Sequence, residues 1–391
     1  MHYPFPVIRH LDDVRPAIEG RSDFVIAERD WGFVVNYLVA MPDTFPDVTD
    51  ELSAIRRECR GLMFDSEGHI MARRLHKFFN VNERDETRDG LIDLGCHHVI
   101  LEKLDGSMIT PIRVGNDLRF ATKMGINEIS MQAEAFVASH PVIYDFCDTF
   151  MEDGWTPIFE WCSRKQKIVI DYPEDRLVLI AIRDTVTGVY VDYEDMVNTV
   201  KGRFEVVRQF EGTVENMQHL VSHTRDLSGA EGFIVRFDDG HMVKVKSDWY
   251  VTRHKAKDAI SHEKNVVAMI AGGDIDDVKA MLPDDDRARL EKFEAEFWHG
   301  FNLEVRRVQF LLDEHRKATE GDRRRFAIER APMIHPGRRA VIFSCWDGNK
   351  TVSDCLLDLV KKNCGTQTKV DSVRWVFGEM TFWNYEGATD A

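Results

Sequence analysis

The sequence lacks long hydrophobic runs, paired cysteine motifs and the features of an exported protein. No apolar run is long enough to cross a bilayer, and residues 1–6 lack the basic and apolar regions of a signal peptide. The seven cysteines are odd in number and include no Cys-x-x-Cys pair, which favours reduced thiols in a cytosol. We therefore predict a cytoplasmic protein with no membrane partner.

A phosphate-binding Gly-x-x-x-x-Gly-Lys-Ser/Thr loop is also missing. A nucleoside triphosphate, if bound, would have to be held by side-chain cations and a metal. The net charge of −16 excludes a nonspecific coat for nucleic acid, but it allows an enzyme with a local basic groove. Cys96-His97-His98 resembles a metal motif, yet neighbouring side chains on a strand point to opposite faces, so we assign His97 and His98 structural roles.

The 391 residues are enough for two domains with separate cores. The pattern is strand-rich up to about residue 250, and the predicted strands are 99–101, 118–123, 157–161, 177–182 and a hairpin over 231–247 with its turn at 238–240. Residues 286–318 and 351–362 have helical periodicity, with Phe293, Phe297 and Phe301 as a core stripe. The sequence thus predicts an α+β fold of antiparallel sheets over residues 1–255, followed by an all-α domain over 256–391.

Four short segments carry the candidate chemistry. They are Lys103-Leu104-Asp105-Gly106-Ser107, Phe159-Glu160-Trp161, Glu231-Gly232 and Lys244-Val245-Lys246. In this order they supply the groups needed to place a nucleotide on a lysine. Lys103 is the candidate nucleophile, and three carboxylates, Asp105, Glu160 and Glu231, are candidate metal ligands, directly or through water. Magnesium prefers such oxygen ligands.

The two downstream lysines are candidate phosphate ligands and catalytic residues. Lys244 and Lys246 are two residues apart on a predicted strand, so both point to one face, whereas Val243 and Val245 point to the core. A lysine attacks only when it is neutral, and nearby cations or partial desolvation lower its pKa from about 10.4. We expect Lys244 and Lys246 to lower the pKa of Lys103 in this way.

These segments resemble the bacteriophage-type RNA ligase 1 family of covalent nucleotidyltransferases, a superfamily that includes DNA ligases and mRNA capping enzymes. The resemblance extends over residues 56–255. It is carried by residues 58–64, 77–83, 103–107, 159–160, 231–232 and 244–250. Leu104 stands where the family often has an acidic residue, and we expect that position to be tolerant. The resemblance implies ATP-dependent joining of RNA 5′-phosphate and 3′-hydroxyl ends through lysyl-AMP, in RNA or transfer RNA repair.

The resemblance also implies cofactors, partners and further site residues. The cofactors are ATP and Mg²⁺, for which Mn²⁺ can substitute. Arg60 and Lys77 would contact the triphosphate, Lys123 would lie near the sugar, and Phe79 is a candidate for stacking on adenine. The complete ATP-binding set is Arg60, Lys77, Phe79, Glu102, Lys103, Asp105, Gly106, Lys123, Glu160, Glu231, Lys244 and Lys246. The partner would be RNA, for example a cleaved transfer RNA, and the protein would be a monomer in the cytosol of a phage host.

Other interpretations remain open at this point. The chain could be a capping guanylyltransferase, a DNA ligase, or a non-catalytic module that binds RNA ends. Glu160 could belong to a structural salt bridge, and Phe79 and Trp161 could be core residues. The basic residues at 323–325 and at 338–339 favour a solvated helix face, with RNA contact as the alternative. In the resembled family a helical C-terminal domain helps to recognise the substrate.

Overall fold

The computed structural model of the protein describes residues 4–41, 43–379 and 381–385. The chain forms two compact units that divide between Val251 and Thr252. Among the described residues, no helix combines the length and the apolar character that crossing a membrane requires.

The first unit contains twelve strands and six complete α-helices among its described residues. The strands are β1 (Phe24–Arg29), β2 (Gly32–Tyr37), β3 (Leu62–Asp65), β4 (Ile70–Ala72), β5 (Phe79–Asn80), β6 (His98–Lys103), β7 (Ser107–Val114), β8 (Asp117–Ala121), β9 (Trp155–Cys162), β10 (Arg176–Asp184), β11 (Gly232–Phe237) and β12 (Met242–Lys246). The helices are α1 (Leu11–Ile18), α2 (Glu51–Glu58), α3 (Glu128–Ala138), α4 (Pro141–Glu152), α5 (Tyr193–Val200) and α6 (Met217–Arg225). Helix α7 (Asp248–Ile260) begins in this unit and continues into the second.

The strands form three four-stranded sheets with the orders β1-β2-β3-β4, β10-β9-β7-β8 and β5-β12-β11-β6. Every strand pair is antiparallel except β5 with β12, which is parallel. The α+β class and the antiparallel sheets are therefore as the sequence predicts. The strand predicted over 118–123 ends earlier, because after Ala121 the chain turns and Thr122 bridges Gly125.

The third sheet has one apolar face and one polar face. Val235, Val243 and Val245 are buried against Met217 and Leu220 of α6. Side chains alternate along a strand, so the lysines of β12 lie on the opposite face from α6. This confirms the assignment of the β12 valines to the core and leaves the other face for polar groups.

A buried charge cluster connects the first and second sheets. The carboxylate of Glu58, at the end of α2, accepts 2.7 Å bonds from both terminal nitrogens of Arg183 on β10 and lies 3.0 Å from Arg73. Burial acts to raise the pKa of Glu58, but the two guanidinium groups outweigh it and hold that pKa at about 2. The cluster fixes the segment before Arg60 to the segment before Lys77.

The regular structure of the second unit is entirely helical among the described residues, and its α-helices are connected by turns and irregular segments. Its helices are α8 (Glu263–Gly272), α9 (Ile275–Lys279), α10 (Asp284–Ala318), α11 (Arg323–Glu329), α12 (Pro336–Cys345), α13 (Val352–Lys362) and α14 (Gln367–Val373). The stripe Phe293, Phe297 and Phe301 of α10 is buried in one cluster, as the sequence predicts. The first turn of α10 is acidic and its last turn is basic, and this distribution of charge complements the helix dipole.

Most of the arginines singled out in the second unit have carboxylate partners. Arg323 lies 3.2 Å from Asp347, and Arg325 lies 3.2 Å from Glu329. Arg338 lies 2.5 Å from the buried Glu304. These pairs support the interpretation of a solvated, internally compensated helix surface.

Candidate active site

The register of the third sheet places the candidate nucleophile beside the downstream motifs. Lys103, the last residue of β6, is paired with Gly232 of β11, which is paired in turn with Lys246 of β12. Gly232 has a φ of +142°, and a Cβ there would lie 2.0 Å from the carbonyl oxygen of Val245. A glycine is therefore required between the two lysines, because only glycine permits this approach of the strands.

The buried carboxylate of Glu231 forms ion pairs with both Lys103 and Lys246. Oε1 of Glu231 lies 2.8 Å from Nζ of Lys103 and 2.9 Å from Nζ of Lys246. The side chain of Glu231 is only 3% exposed. Burial acts to raise its pKa, but Lys103 and Lys246 outweigh that effect and lower it. The structure thus brings together three residues that the sequence assigned to one site.

The protonation of Lys103 differs from the sequence-based expectation. Burial acts to lower its pKa, but the carboxylates of Glu231 and Glu160 outweigh it, and the pKa is raised. The prediction that neighbouring lysines lower the pKa of Lys103 is therefore wrong for this structure. The ammonium is held by Glu231, and it must lose a proton before it can attack.

Lys244 is the residue whose pKa falls instead. Burial first, and then the charges of Lys103, Lys77 and Arg60, lower its pKa well below the ordinary lysine value. Nζ of Lys244 lies 5.7 Å from the centre of the Phe78 ring. An added anion at this point would relieve the repulsion among four basic side chains.

Glu160 lies on β9 opposite Met108 of β7. Burial, followed by the charge of Glu231, raises its pKa to about 7, although Lys103 and Arg60 oppose the shift. Within the described residues Glu160 forms no salt bridge, so a structural ion pair does not explain it. Gly106 approaches the same strand, since a Cβ on it would lie 2.4 Å from the carbonyl oxygen of Trp161. The close contact places the turn after Lys103 beside Glu160.

The carboxylate of Asp105, which the sequence predicts to be a metal ligand, accepts hydrogen bonds from the protein instead. Its Oδ2 accepts 2.7 Å bonds from the amides of Val169 and Ile170, and its Oδ1 accepts a 2.7 Å bond from the hydroxyl of Tyr250. Its own amide donates to the Tyr172 hydroxyl at 3.0 Å. Both carboxylate oxygens are thus engaged, and Asp105 fixes the turn that follows Lys103. The partners Tyr172 and Tyr250 were missed by sequence reasoning.

Lys77 lies among aromatic rings. Its Nζ is 5.2–5.5 Å from the ring centres of Phe45, Tyr37 and Phe79. Burial, followed by the charge of Arg60, lowers its pKa to about 8. Arg60 itself has no ion pair in the described part of the chain. Both cations contribute to the positive potential at Lys244, which fits the predicted contact with a triphosphate.

Phe79 is a core residue. Its side chain is 2% exposed, and it packs in the cluster formed by α1, α2 and the first sheet. The guanidinium carbons of Arg57 and Arg84 lie 4.7 and 4.8 Å from the ring centre. Cations thus occupy the surroundings of this ring, and an adenine has no accessible face on which to stack.

Neither Glu102 nor Lys123 takes part in the ion pairs of Glu231 among the described residues. Glu102 shares a face of β6 with Ile100, which packs against α6, so it points away from the face that carries Lys103. The backbone of Lys123 touches Gly61, where a Cβ would lie 2.8 Å from its Cα. Their nucleotide contacts stay predictions.

Arg74 is a site residue that the sequence analysis missed. It is 3% exposed and donates to the carbonyl oxygen of Met108, whereas its Nε and Nη1 have no hydrogen-bond partner among the described residues. Burial and then the charge of Arg60 lower its pKa to about 9. Its position beside Lys77 in the sequence block 73–77 was the available signal.

The carboxylates of this site do not form a metal cage of their own. No group of three or more His, Cys, Asp or Glu side chains with metal-binding geometry occurs in the described ranges. Magnesium commonly binds through one or two carboxylates together with substrate phosphates. Glu160, which has no ion pair, fits that requirement better than Asp105 or Glu231.

Comparison with known proteins identifies the class to which this fold and this lysine site belong. A family model described as RNA ligase matches residues 58–250, and one described as T4 RNA ligase 1, C-terminal domain, matches residues 257–361. Together the matches cover well over half of the chain. The chain belongs to the T4 RNA ligase 1-like family of RNA ligases, as the resemblance implied.

Individual relatives agree with this class. A Thermovibrio ammonificans protein named "Putative RNA ligase" is 31% identical over 263 residues, which are 66% of each chain. RNA ligase 1 of bacteriophage TS2126 is 26% identical over 256 residues, which are 61% of this chain and 60% of that one. The matches thus leave about a third or more of each relative uncovered.

The similarity of this chain to solved structures is weaker than its similarity to the relatives found by sequence. An archaeal ATP-dependent RNA ligase has a TM-score of 0.42 at 15% identity and covers 64% of both chains. A mutant of the Naegleria gruberi RNA ligase with AMP and Mn has a TM-score of 0.32 at 15% identity, over 40% of this chain and 52% of that one. We draw no functional conclusion from likenesses of this size.

Proposed function

We propose that this protein is an ATP-dependent RNA ligase that joins RNA 5′-phosphate and 3′-hydroxyl ends through lysyl-AMP. The observation that carries the proposal is the buried Glu231, whose Oε1 lies within 2.9 Å of both Lys103 and Lys246. Lys244 extends from the same face of β12. A nucleophile, a carboxylate that positions it, and paired cations for phosphate thus meet at one end of the sheet.

In the first step the Lys103 ammonium releases a proton to solvent, and its Nζ attacks the α-phosphorus of ATP and releases a second proton as the new bond forms. A nitrogen–phosphorus bond forms, the bond from that phosphorus to the bridging oxygen breaks, and pyrophosphate leaves. Lys244, Lys246 and Arg60 offset the charge of the phosphates, which is the main demand of phosphoryl transfer. Their mutual repulsion is relieved when the anion enters.

The next two steps reuse the same cations. A 5′-phosphate oxygen of RNA attacks the phosphorus of lysyl-AMP, the bond to Lys103 breaks, and the RNA carries AMP through a new pyrophosphate linkage. The RNA 3′-hydroxyl then loses its proton and attacks the 5′-phosphorus, and AMP leaves. Each step is an in-line displacement at phosphorus beside Lys244 and Lys246.

Glu160 is the carboxylate proposed to hold a magnesium ion together with ATP phosphates, with manganese as a substitute. The bound ion would neutralise phosphate charge and orient the leaving group. The same role explains why a carboxylate with a pKa of about 7 is kept in a buried strand without an ion pair.

The proposal is tested by mixing the protein with magnesium and ATP labelled on its α-phosphate. Label should remain with denatured wild type and be absent from Lys103→Arg, a variant that keeps the cation but cannot be neutral at working pH. Absence of label from wild type would overturn the proposal. Labelling by GTP would instead indicate a capping enzyme, and ATP binding without labelling would indicate a non-catalytic RNA-end module.

The natural substrate is proposed to be a broken RNA in a repair reaction in the cytosol, for example a cleaved transfer RNA. A competition among single-stranded RNA, nicked RNA duplex, nicked DNA and cleaved transfer RNA distinguishes these substrates. Preferential sealing of nicked DNA would exclude the RNA repair assignment. Light scattering during the reaction would test the expected monomer.

A further inference from the structure

The loop between β9 and β10, residues 163–175, presents basic side chains beside the nucleophile turn. Arg164 and Lys165 follow β9 after one intervening residue, Ser163, and are exposed. The strand end that precedes them is in close contact with Gly106, since the Trp161 carbonyl oxygen would be 2.4 Å from a Cβ at that glycine. The two cations therefore emerge next to the turn that follows Lys103.

The backbone of this loop is fixed at both ends and in the middle. The Arg164 amide donates to Asp175 at 2.7 Å, and the Lys165 amide donates to the hydroxyl of Ser163 at 3.1 Å. In the middle of the loop, the amides of Val169 and Ile170 donate to Asp105 at 2.7 Å. Because Asp105 also belongs to the turn after Lys103, one carboxylate ties the basic loop to the nucleophile.

The charges of Arg164 and Lys165 are not compensated. Neither side chain has an ion pair within the part of the chain that the structure describes, whereas Lys167 in the same loop lies 2.7 Å from Asp171. Arg323, an exposed arginine of the second unit, also has a carboxylate partner, Asp347. In a chain of net charge −16, two uncompensated cations at this position form a local attraction for a polyanion.

We propose that Arg164 and Lys165 bind the phosphodiester backbone of the RNA strand whose end reacts at Lys103. The inference rests on the proposed ligase function and adds a binding site for its substrate. RNA is the ligand that fits, because other cations, namely Lys244, Lys246 and Arg60, are already proposed to bind the phosphates of ATP. The loop carries its cations on exposed side chains, where a strand can pass along the surface.

The test is a charge-neutral variant, Arg164→Gln with Lys165→Gln. Equilibrium binding of a 5′-phosphorylated single-stranded oligoribonucleotide is measured over a range of salt concentrations. Two lost phosphate contacts should make the slope of log Kobs against log salt shallower by about 1.4 for a single strand. Lysyl-AMP formation, which needs no RNA, should keep its wild-type rate, and transfer of AMP to RNA should show a raised KM for RNA.

A matched control removes the same two charges elsewhere in the first unit, by Lys201→Gln with Arg225→Gln. Both residues are exposed and without an ion pair among the described residues, and Arg225 belongs to α6, on the opposite face of the third sheet from Lys244. The control should keep the wild-type slope. An unchanged slope in the loop variant, an equal change in the control, or an equal loss of lysyl-AMP formation would overturn the inference. Failure of wild type to form lysyl-AMP would instead refute the proposed function.

Discussion

Replacing Lys103 with methionine tests the ion pair at the centre of the site. The change removes a charge-assisted bond of 2.8 Å to Glu231, a class of interaction that contributes about 1.5–3 kcal/mol. Glu231 keeps Lys246 at 2.9 Å, and repulsion of Lys244 by Lys103 disappears. We therefore expect a loss of about 2 kcal/mol in local stability, short of the 3–5 kcal/mol that an isolated buried charge would cost.

The pH dependence of that loss follows from the two pKa shifts. Folding raises the pKa of Lys103, so its contribution is complete below the ordinary lysine pKa and disappears as pH rises through the folded pKa. Folding lowers the pKa of Glu231, so its contribution is complete above the ordinary carboxyl pKa and disappears as pH falls through the folded one. The difference between wild type and variant should therefore be flat between about pH 5 and pH 10.

The assay is hydrogen exchange followed by mass spectrometry, which reports local opening in a chain of two units. Peptides that cover β6 and β11 should exchange faster in Lys103→Met, and peptides from α10 serve as the internal reference. Lys103→Arg should show a smaller increase in exchange, because it keeps the cation. Neither variant is expected to form lysyl-AMP. Equal exchange in wild type and Lys103→Met, or a difference that vanishes at pH 9, would refute the argument.

Three other residues give independent tests. Tyr250→Phe removes a 2.7 Å bond to the buried Asp105, so thermal unfolding should show a loss of about 1–3 kcal/mol, with slower lysyl-AMP formation and little change in ATP affinity. Because the pKa of Lys244 lies well below its ordinary value and phosphates would raise it, calorimetry in two buffers should show proton uptake on ATP binding. Glu58→Gln should cost about 3–5 kcal/mol in urea unfolding at neutral pH. The wild-type advantage should fall as pH drops below the ordinary carboxyl pKa towards the folded value of about 2.

The shared face of the two β12 lysines was predictable because simple periodicity determines it. A spacing of two residues on a strand places Lys244 and Lys246 on one face, whatever the rest of the sheet contains. The long periodic pattern of α10 was predictable for a similar reason, since a helix of that length repeats its apolar face many times.

The hydrogen-bond partners of Asp105 could not be predicted in this way. They lie 64, 65 and 145 residues away along the chain, and no local pattern links them to the lysine motif. The protonation of Lys103 was mispredicted because two opposing effects, nearby lysines and a nearby carboxylate, differ only through distances that a sequence does not contain. In the first sheet, β3 and β4 are only four and three residues long, which is too short for a periodic pattern to be recognised.

The order of strands in the third sheet has a consequence for synthesis on the ribosome. The sheet pairs β6 with β11 and β11 with β12, and both partner strands are made much later than β6, whereas β1 to β4 pair with their immediate neighbours in the chain. A nascent chain that has emerged only as far as β9 carries Lys103 without Glu231, Lys244 or Lys246. Non-local pairing of this kind forms late. On the proposed mechanism, transfer of AMP to Lys103 would therefore begin only after β12 has been made, and chains that end before β12 would not consume ATP.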